Sequence, residues 1–239
     1  MQIKLYHSPN SRSQRIIWLF EELNLDYELI TINKSRSTNR SPSNKERVNI
    51  PNAVLPLKFP TILINTSDQN IAITESSAIA EFFAEHSAKL RVTSEKIKIR
   101  SDYLFWKNYA DASFMPNLAL KQIFAQIVER TPLPFKWGSL LFKYAFNKGY
   151  LDQAIDDQLY RINNHLSHQT WLAGEVFTIA DLLLWFPLQA CVIAHSNIAQ
   201  YPVVMRYIEH IQQRPAFQKA LAKGQWDDSI FQQYWQNAW

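Results

Sequence analysis

Residues 3–32 read IKLYHSPNSRSQRIIWLFEELNLDYELITI, and two changes of period inside this stretch set the architecture of the first half of the chain. From Ile3 to His7 apolar and polar residues alternate, the two-residue repeat of a strand. From Ser11 to Leu23 the repeat lengthens: Ile16, Leu19, Phe20 and Leu23 gather on one helical face, while Glu21 and Glu22 point elsewhere. Asn24 is a stop, because asparagine tolerates the left-handed conformation that ends helices. Tyr27 to Ile32, rich in aliphatic and β-branched residues, is a second strand. Strand, helix and strand at this spacing make a βαβ unit with a right-handed crossover.

Working outward, Asn33 to Asn52 is polar, charged and without period, and reads as a loop with room for a short helix. Thr61–Ile64 and Ile71–Ile73 are short apolar runs joined by the polar stretch Asn65 to Asn70, the pattern of a hairpin. A helix follows from about Ser77 to His86, burying Ile79, Phe82 and Phe83. The order βαβ then ββα describes a small α/β domain over residues 1–87. Beyond Lys89 only helical periods occur. Lys96 to Val128 carries Ile99, Tyr103, Trp106 and Tyr109 at three-to-four spacing, Pro132 and Pro134 break the pattern, and Leu151–Leu166, Ala180–Ala194 and Val203–Ala222 follow. Residues 93–239 therefore read as an all-α bundle.

The composition sets further bounds. With 47% hydrophobic and 13% aromatic residues the 239-residue chain has the material for a real core. Its charge of +4 is mildly basic and suits an anionic small ligand; without a dense Lys/Arg block, nucleic acid is not an expected partner. Four glycines leave no glycine-rich nucleotide loop. Cys191 is the sole cysteine, so an intramolecular disulfide is excluded and a reducing compartment, the cytoplasm, is expected. The N-terminus lacks the apolar run of a signal peptide, and no window reaches the roughly 18 apolar residues of a membrane span.

Three short motifs carry chemistry. Ser11-Arg12-Ser13-Gln14-Arg15 lies where the first strand hands over to the first helix. Ser11 and Gln14 have capping-box spacing, so the ordinary reading is that Ser11 or Ser13 caps the helix. A hydroxyl there also sits beside unpaired N–H groups and the positive end of a helix dipole, which favours a thiolate. The magnitudes suffice. A thiol with pKa near 8.5 is only a few per cent ionised at neutral pH. A hydrogen bond to a charged group contributes about 1.5–3 kcal/mol and a helix terminus about 0.3–1 more, enough to lower that pKa by roughly one to three units.

Lys58-Phe59-Pro60-Thr61 introduces the third strand. Most such prolines simply end a loop in trans; in a βαβ-ββα domain this is also where a cis proline would turn residue 59 so that its backbone can pair with a bound peptide. Thr74-Glu75-Ser76-Ser77 precedes a helix and suits a cap, or else an anion site in which Ser76 and nearby N–H groups bind a carboxylate while Glu75 pairs with an ammonium group. A γ-glutamyl group, with both charges on one carbon, would satisfy both residues.

Other features read as structural. In Phe177-Thr178-Ile179-Ala180-Asp181-Leu182, Thr178 caps, Asp181 reaches back and Phe177 staples against Leu182. His165 and His168 have no further ligand set around them, so no metal site is expected. Cys191, in an apolar run, is an inert core thiol. Pro132 to Tyr150, with Lys136, Lys143 and Lys148 among aromatics, reads as a loop and helix with a solvated basic face, contact with a membrane surface or nucleic acid being the alternative. The aromatic tail, with Trp226, Phe231, Tyr234, Trp235 and Trp239, is expected to pack on the helical domain.

The segment from Tyr6 to Arg15, followed by Trp18-Leu19-Phe20-Glu21-Glu22-Leu23, resembles the opening of bacterial and fungal glutathione transferases. Phe59-Pro60, Glu75-Ser76 with Ala78-Ile79, Trp171 to Glu175 with Phe177 to Asp181, and Arg214-Pro215-Ala216-Phe217 match in order over nearly the whole chain. The resemblance implies a thioredoxin-like N-terminal domain, an all-α C-terminal domain and a homodimer. It implies detoxifying conjugation of the glutathione thiolate to hydrophobic electrophiles, with glutathione as co-substrate. Ser11 would donate to the sulfur, with Asn10 and Ser13 as fallbacks. Phe59, ahead of Pro60, would pair with the cysteinyl part, Glu75 and Ser76 would hold the γ-glutamyl end, and Lys58 or Arg15 would meet the glycyl carboxylate. The electrophile would lie against Trp106, Tyr109 and Phe114. Where the family commonly has a glycine ahead of the lysine, Pro56-Leu57-Lys58-Phe59-Pro60 has none. Two alternatives stand beside conjugation: glutathione-dependent reduction of peroxides or disulfides, and a non-catalytic binding or regulatory protein on the same fold.

Overall fold

The computed structural model describes residues 2–32, 47–50, 53–56, 58–93 and 95–237. Strand β1 (Gln2–His7) leads through a turn into α1 (Gln14–Leu23) and then β2 (Glu28–Thr31). A hairpin of β3 (Arg47–Ile50) and β4 (Ala53–Pro56) follows, then β5 (Thr61–Asn65), β6 (Asn70–Thr74) and α2 (Ser76–Ser87). The main sheet has the order β2-β1-β5-β6, with β1 parallel to β2 and antiparallel to β5, and β6 antiparallel to β5.

The part of the loop expected over 33–52 that is described, residues 47–50, forms a strand paired with β4. Residues 33–46, where a short helix had room, lie outside the described residues. Asn24 ends α1 with φ 52°, as its side chain allows. The Phe59–Pro60 peptide bond is cis. Within α2, Ile79 and Phe83 are buried while Phe82 is only half-buried.

Leu90 onward is helical. Helix α3 (Ile97–Tyr109) continues through a π-helical turn, Ala110–Phe114, into α4 (Met115–Arg130). After the prolines come α5 (Lys136–Phe146), a second π-helical turn, Asn147–Leu151, and α6 (Asp152–Leu166). Helices α7 (Ile179–Ala194) and α8 (Pro202–Gln212) complete this run. Val203–Ala222, expected as one helix, is two: α8 ends, and α9 (Pro215–Lys223) restarts with proline at its first position. The chain closes with α10 (Asp228–Asn237).

These elements form two compact units. One comprises Met1–Lys89 together with Arg214–Asp227; the other comprises Leu90–Gln213 with Asp228–Trp239. Helix α9 therefore belongs to the sheet unit rather than to the helical one expected over 93–239. The alternation read from Ile3 and Leu5 buries both, beside their β5 partners Ile64 and Ile62, and Ile16, Ile17 and Phe20 of α1 are buried as well. On the other flank of α1, Trp18 meets Phe217 of α9 edge to face at 5.0 Å, and Arg214 holds Glu22 through two hydrogen bonds of 2.7 and 2.8 Å. Lys219 and Lys223 both pair with Glu21, at 2.6 and 2.5 Å.

In the helical unit α7 is the core. Its N-terminus carries the expected capping box: Thr178 Oγ1 accepts from the Ala180 N–H and Asp181 accepts from the Thr178 N–H. The buried Asp181 carboxylate also takes the Leu172 N–H at 2.8 Å and the Tyr207 hydroxyl at 2.8 Å. In the tail, Phe231 and Trp235 of α10 are buried against Phe186 of α7, at ring distances of 5.4 and 6.5 Å.

Candidate functional site

The loop from His7 to Gln14, between β1 and α1, holds all three hydroxyl or amide candidates for thiol activation. Of the two serines expected to cap the helix start, Ser11 makes a cap-like bond, its Oγ accepting from the Ser13 N–H at 3.3 Å. The N–H groups of Gln14, Arg15 and Ile16 bond the carbonyls of Ser11, Arg12 and Ser13 in a series of tight turns, so they are not the orphan donors that a helix start usually exposes. Ser13, at the N-cap position, makes no side-chain cap, and its hydroxyl is turned inward.

The inward contacts form a chain. Nδ1 of His7 lies 2.7 Å from Ser13 Oγ, and Ser13 Oγ lies 2.7 Å from Ser11 Oγ. On the other side of the imidazole, Nε2 lies 2.8 Å from the Gly224 carbonyl, just past α9. A carbonyl only accepts, so Nε2 carries a proton. Burial pushes the His7 pKa down, which keeps the ring neutral and leaves Nδ1 as an acceptor. The Ser13 proton then goes to Nδ1, and Ser13 Oγ accepts from the Ser8 N–H at 3.2 Å and from Ser11. Ser11 is left with one proton that faces either Ser13 Oγ or the Ser8 carbonyl, each 2.7 Å away.

The three candidates now differ. Ser13 is fully buried and its proton is held by His7. Asn10 is buried, has φ 57°, and spends its side-chain oxygen on the Asp227 N–H at 2.8 Å. Ser11 is partly exposed, and its proton is shared between two alternative acceptors, Ser13 Oγ and the Ser8 carbonyl. Sequence reasoning did not find His7 or Gly224. His7 read only as a strand residue, and the glycine lies more than two hundred positions away; nothing local links them. A Cβ at Gly224 would lie 2.0 Å from Oε1 of Gln14, so a side chain there would displace the end of Gln14, whose Nε2 bonds the Ala220 carbonyl at 2.6 Å.

The remaining residues of the sheet unit are placed as follows. Lys58 is exposed, Phe59 half-buried and Pro60 buried at the head of β5. Glu75 is exposed at the N-cap of α2 with φ 70°, unusual for a residue with a Cβ, and its carboxylate makes no capping bond. Ser76, the first residue of α2, is buried. Arg15 is 1% exposed within α1. In the helical unit Trp106 and Tyr109 are buried in an aromatic cluster, 5.0 Å apart, and Phe114 is fully buried. Trp106 lines an open cavity of ≈ 720 Å³ together with Asp102, Arg161, His165 and His168. Tyr109 Oη has no hydrogen-bond partner among the described residues, and burial pushes its pKa up to about 12. Cys191 is buried, with its thiol pushed up to about 12 by desolvation. His165 donates to the Leu172 carbonyl at 2.8 Å.

Comparison with known proteins gives concordant matches. The family model described as glutathione S-transferase, N-terminal domain, matches residues 5–90, and that of the C-terminal domain matches residues 143–215. A fission-yeast protein named glutathione S-transferase 3 (Schizosaccharomyces pombe) is 28% identical over 92% of this chain and 87% of its own length. The disulfide-bond oxidoreductase YfcG of Escherichia coli is 28% identical over 95% of this chain and 97% of its own. The crystal structure of a glutathione S-transferase from Actinobacillus pleuropneumoniae superposes with a TM-score of 0.71 at 26% identity, covering 94% of this chain and 93% of that one.

Proposed function

Because the chain belongs to the glutathione S-transferase family, we propose that it binds glutathione in the sheet unit and activates its thiol through Ser11 for attack on hydrophobic electrophiles. One observation carries the assignment within the loop: of the three candidates only Ser11 is open to solvent, whereas Ser13 and Asn10 are buried with their side chains held by His7 and by the Asp227 N–H. A thiolate near Ser11 Oγ draws that proton away from Ser13 Oγ and the Ser8 carbonyl. The direction of the chain behind it is already set by the neutral His7, so the donor is prepared before the anion arrives. Catalysis then follows from a higher thiolate fraction and from holding the sulfur beside its target.

Glu75 and Ser76 take the γ-glutamyl end. The left-handed backbone at Glu75 supports this, since such conformations cost of order 1–3 kcal/mol and gather at ligand sites. Phe59 supplies its backbone ahead of Pro60, and Lys58, exposed beside it, meets the glycyl carboxylate. Arg15 and Phe114 stay outside the proposed set, because both are buried and, unlike Trp106 and Tyr109, neither lines a described cavity. Trp106 and Tyr109 are assigned to the electrophile; the unpartnered Tyr109 hydroxyl suits an electrophile with an acceptor group. The protein acts as a homodimer in the cytoplasm.

The test is Ser11→Ala. Loss of one charge-assisted hydrogen bond lowers kcat/KM roughly 10- to 150-fold and raises the pKa of bound glutathione, read from the ultraviolet absorbance of the thiolate. An unmoved pKa removes Ser11 from the mechanism. A second reading, disulfide or peroxide reduction, draws support from the relative named as a disulfide-bond oxidoreductase. In that case glutathione must supply the electrons, because Cys191 is buried and held protonated. Turnover of a chloronitrobenzene against an organic hydroperoxide and a small disulfide separates the two readings.

A further inference from the structure

Helix α5 contains no buried residue, although seven of its eleven residues are apolar or aromatic. Phe142 and Phe146 stand over Phe124 of α4, with ring centroids 5.5 and 4.7 Å apart, and attach the helix to its unit. The other side is unused. Trp137, Leu141 and Tyr144, at i, i+4 and i+7, form one stripe and are 78%, 69% and 64% exposed. The turn ahead of the helix adds Leu133 and Phe135, 77% and 72% exposed. Lys136 and Lys143, seven apart, make a parallel row beside the apolar stripe, and Lys148 follows in the next turn. From Thr131 to Leu151 these three lysines are the only charged side chains.

We propose that α5 and the turn before it are a docking surface for an anionic lipid bilayer, the helix lying in the interface plane with Trp137, Leu141 and Tyr144 inserted and Lys136, Lys143 and Lys148 among the headgroups. The combination of an apolar stripe and an all-cationic flank is what distinguishes an interfacial helix from a helix that merely lacks a neighbour. Patches of this kind are rare on monomeric soluble proteins. Charge decides between occupants. A two-fold contact between copies through this face would set lysine rows against each other without a carboxylate from the segment to balance them, whereas an anionic leaflet matches both rows at once. Nucleic acid would use the aromatics but has no use for Leu133 and Leu141. The surface shares no residue with the proposed glutathione site and stands or falls independently of it.

Co-sedimentation of the full-length protein with vesicles tests this, using phosphatidylcholine alone and phosphatidylcholine with phosphatidylserine. The protein pellets with the anionic vesicles at low salt and less so as salt is raised. Lys136→Gln with Lys143→Gln lowers the partition constant roughly 25-fold, about fivefold for each lysine. Trp137→Ser with Leu141→Ser lowers it roughly 100-fold. A urea unfolding midpoint unchanged in both variants certifies the fold; should the apolar variant misfold, the lysine variant alone decides. The proposal is overturned if the parent protein does not pellet with anionic vesicles, or if the lysine variant pellets equally well. It is also overturned if Trp137→Ser with Leu141→Ser halves the mass seen by light scattering while the parent ignores vesicles, which would assign the face to a second copy. A shift of a single-stranded oligonucleotide without vesicle binding overturns it too.

Discussion

His7 has a carbonyl on one side and a hydroxyl on the other, and the proton on Nε2 leaves Nδ1 no role except acceptor. Its influence on Ser11 passes through Ser13, which makes it a positioning residue. His7→Gln should raise the thiol pKa of bound glutathione by less than Ser11→Ala does, while leaving the Ser11 hydroxyl in place. The same residue predicts a pH dependence of stability. Its folded-state pKa is lowered, so below the ordinary value of about 6.5 the unfolded chain takes up a proton that the native ring refuses. Stability is therefore fully present above about pH 6.5 and is lost as pH falls below it. Urea midpoints measured from pH 7.5 to 5 should drop in the parent and drop less in His7→Gln; parallel slopes would refute the burial argument.

Among the elements, the start of α7 is the most completely determined by its own sequence. Thr178 and Asp181 close a capping box across four residues, and Asp181 then gathers donors from Leu172 and Tyr207. Asp181→Ala strands several buried donors and should cost about 3–5 kcal/mol, against about 1 kcal/mol for Thr178→Ala, both read from chemical denaturation. A cost for Asp181→Ala no larger than that of Thr178→Ala would mean that the added donors count for nothing. This box was legible because every contact that defines it lies within a few positions. The start of α1 was read in part: Ser11 Oγ accepts the Ser13 N–H, but Gln14, three residues on, turns its side chain to the Ala220 carbonyl instead of reaching back, and the backbone of the preceding turns takes the next N–H groups. The hairpin of β3 and β4 was missed because Pro51, Asn52 and Pro56 are loop signals that outweigh its short apolar runs. The division between α8 and α9 was available in Arg214-Pro215, since a proline starts a helix more readily than it continues one.

At the scale of the whole molecule, what the sequence could not disclose was partnership. The periods of α1 and α9 are both plain, but that Trp18 meets Phe217, that Glu21 and Glu22 are met by three cations of α9 and its N-cap, and that Gly224 fixes His7 are properties of chain return. The first unit depends on that return. Residues 1–89 produced alone should lack a cooperative unfolding transition, because the outer flank of α1 loses its apolar cover and the His7 loop loses the Gly224 and Asp227 bonds. Joining residues 214–227 to Lys89 through a flexible linker should restore the transition; a cooperative fragment without them would show that α9 is dispensable.

The return of α9 also imposes an order on synthesis. When the ribosome has released the first 89 residues, the strands of the main sheet exist but the segment that finishes their unit is still more than a hundred codons away. Domains commonly fold as they emerge, N-terminal first. Here the loop that carries Ser11 acquires its supports only once residues 224–227 have been made. A ribosome that stalls midway leaves a half-built sheet unit in which the loop of the proposed donor Ser11 is unsupported, so such truncated products should not activate a thiol.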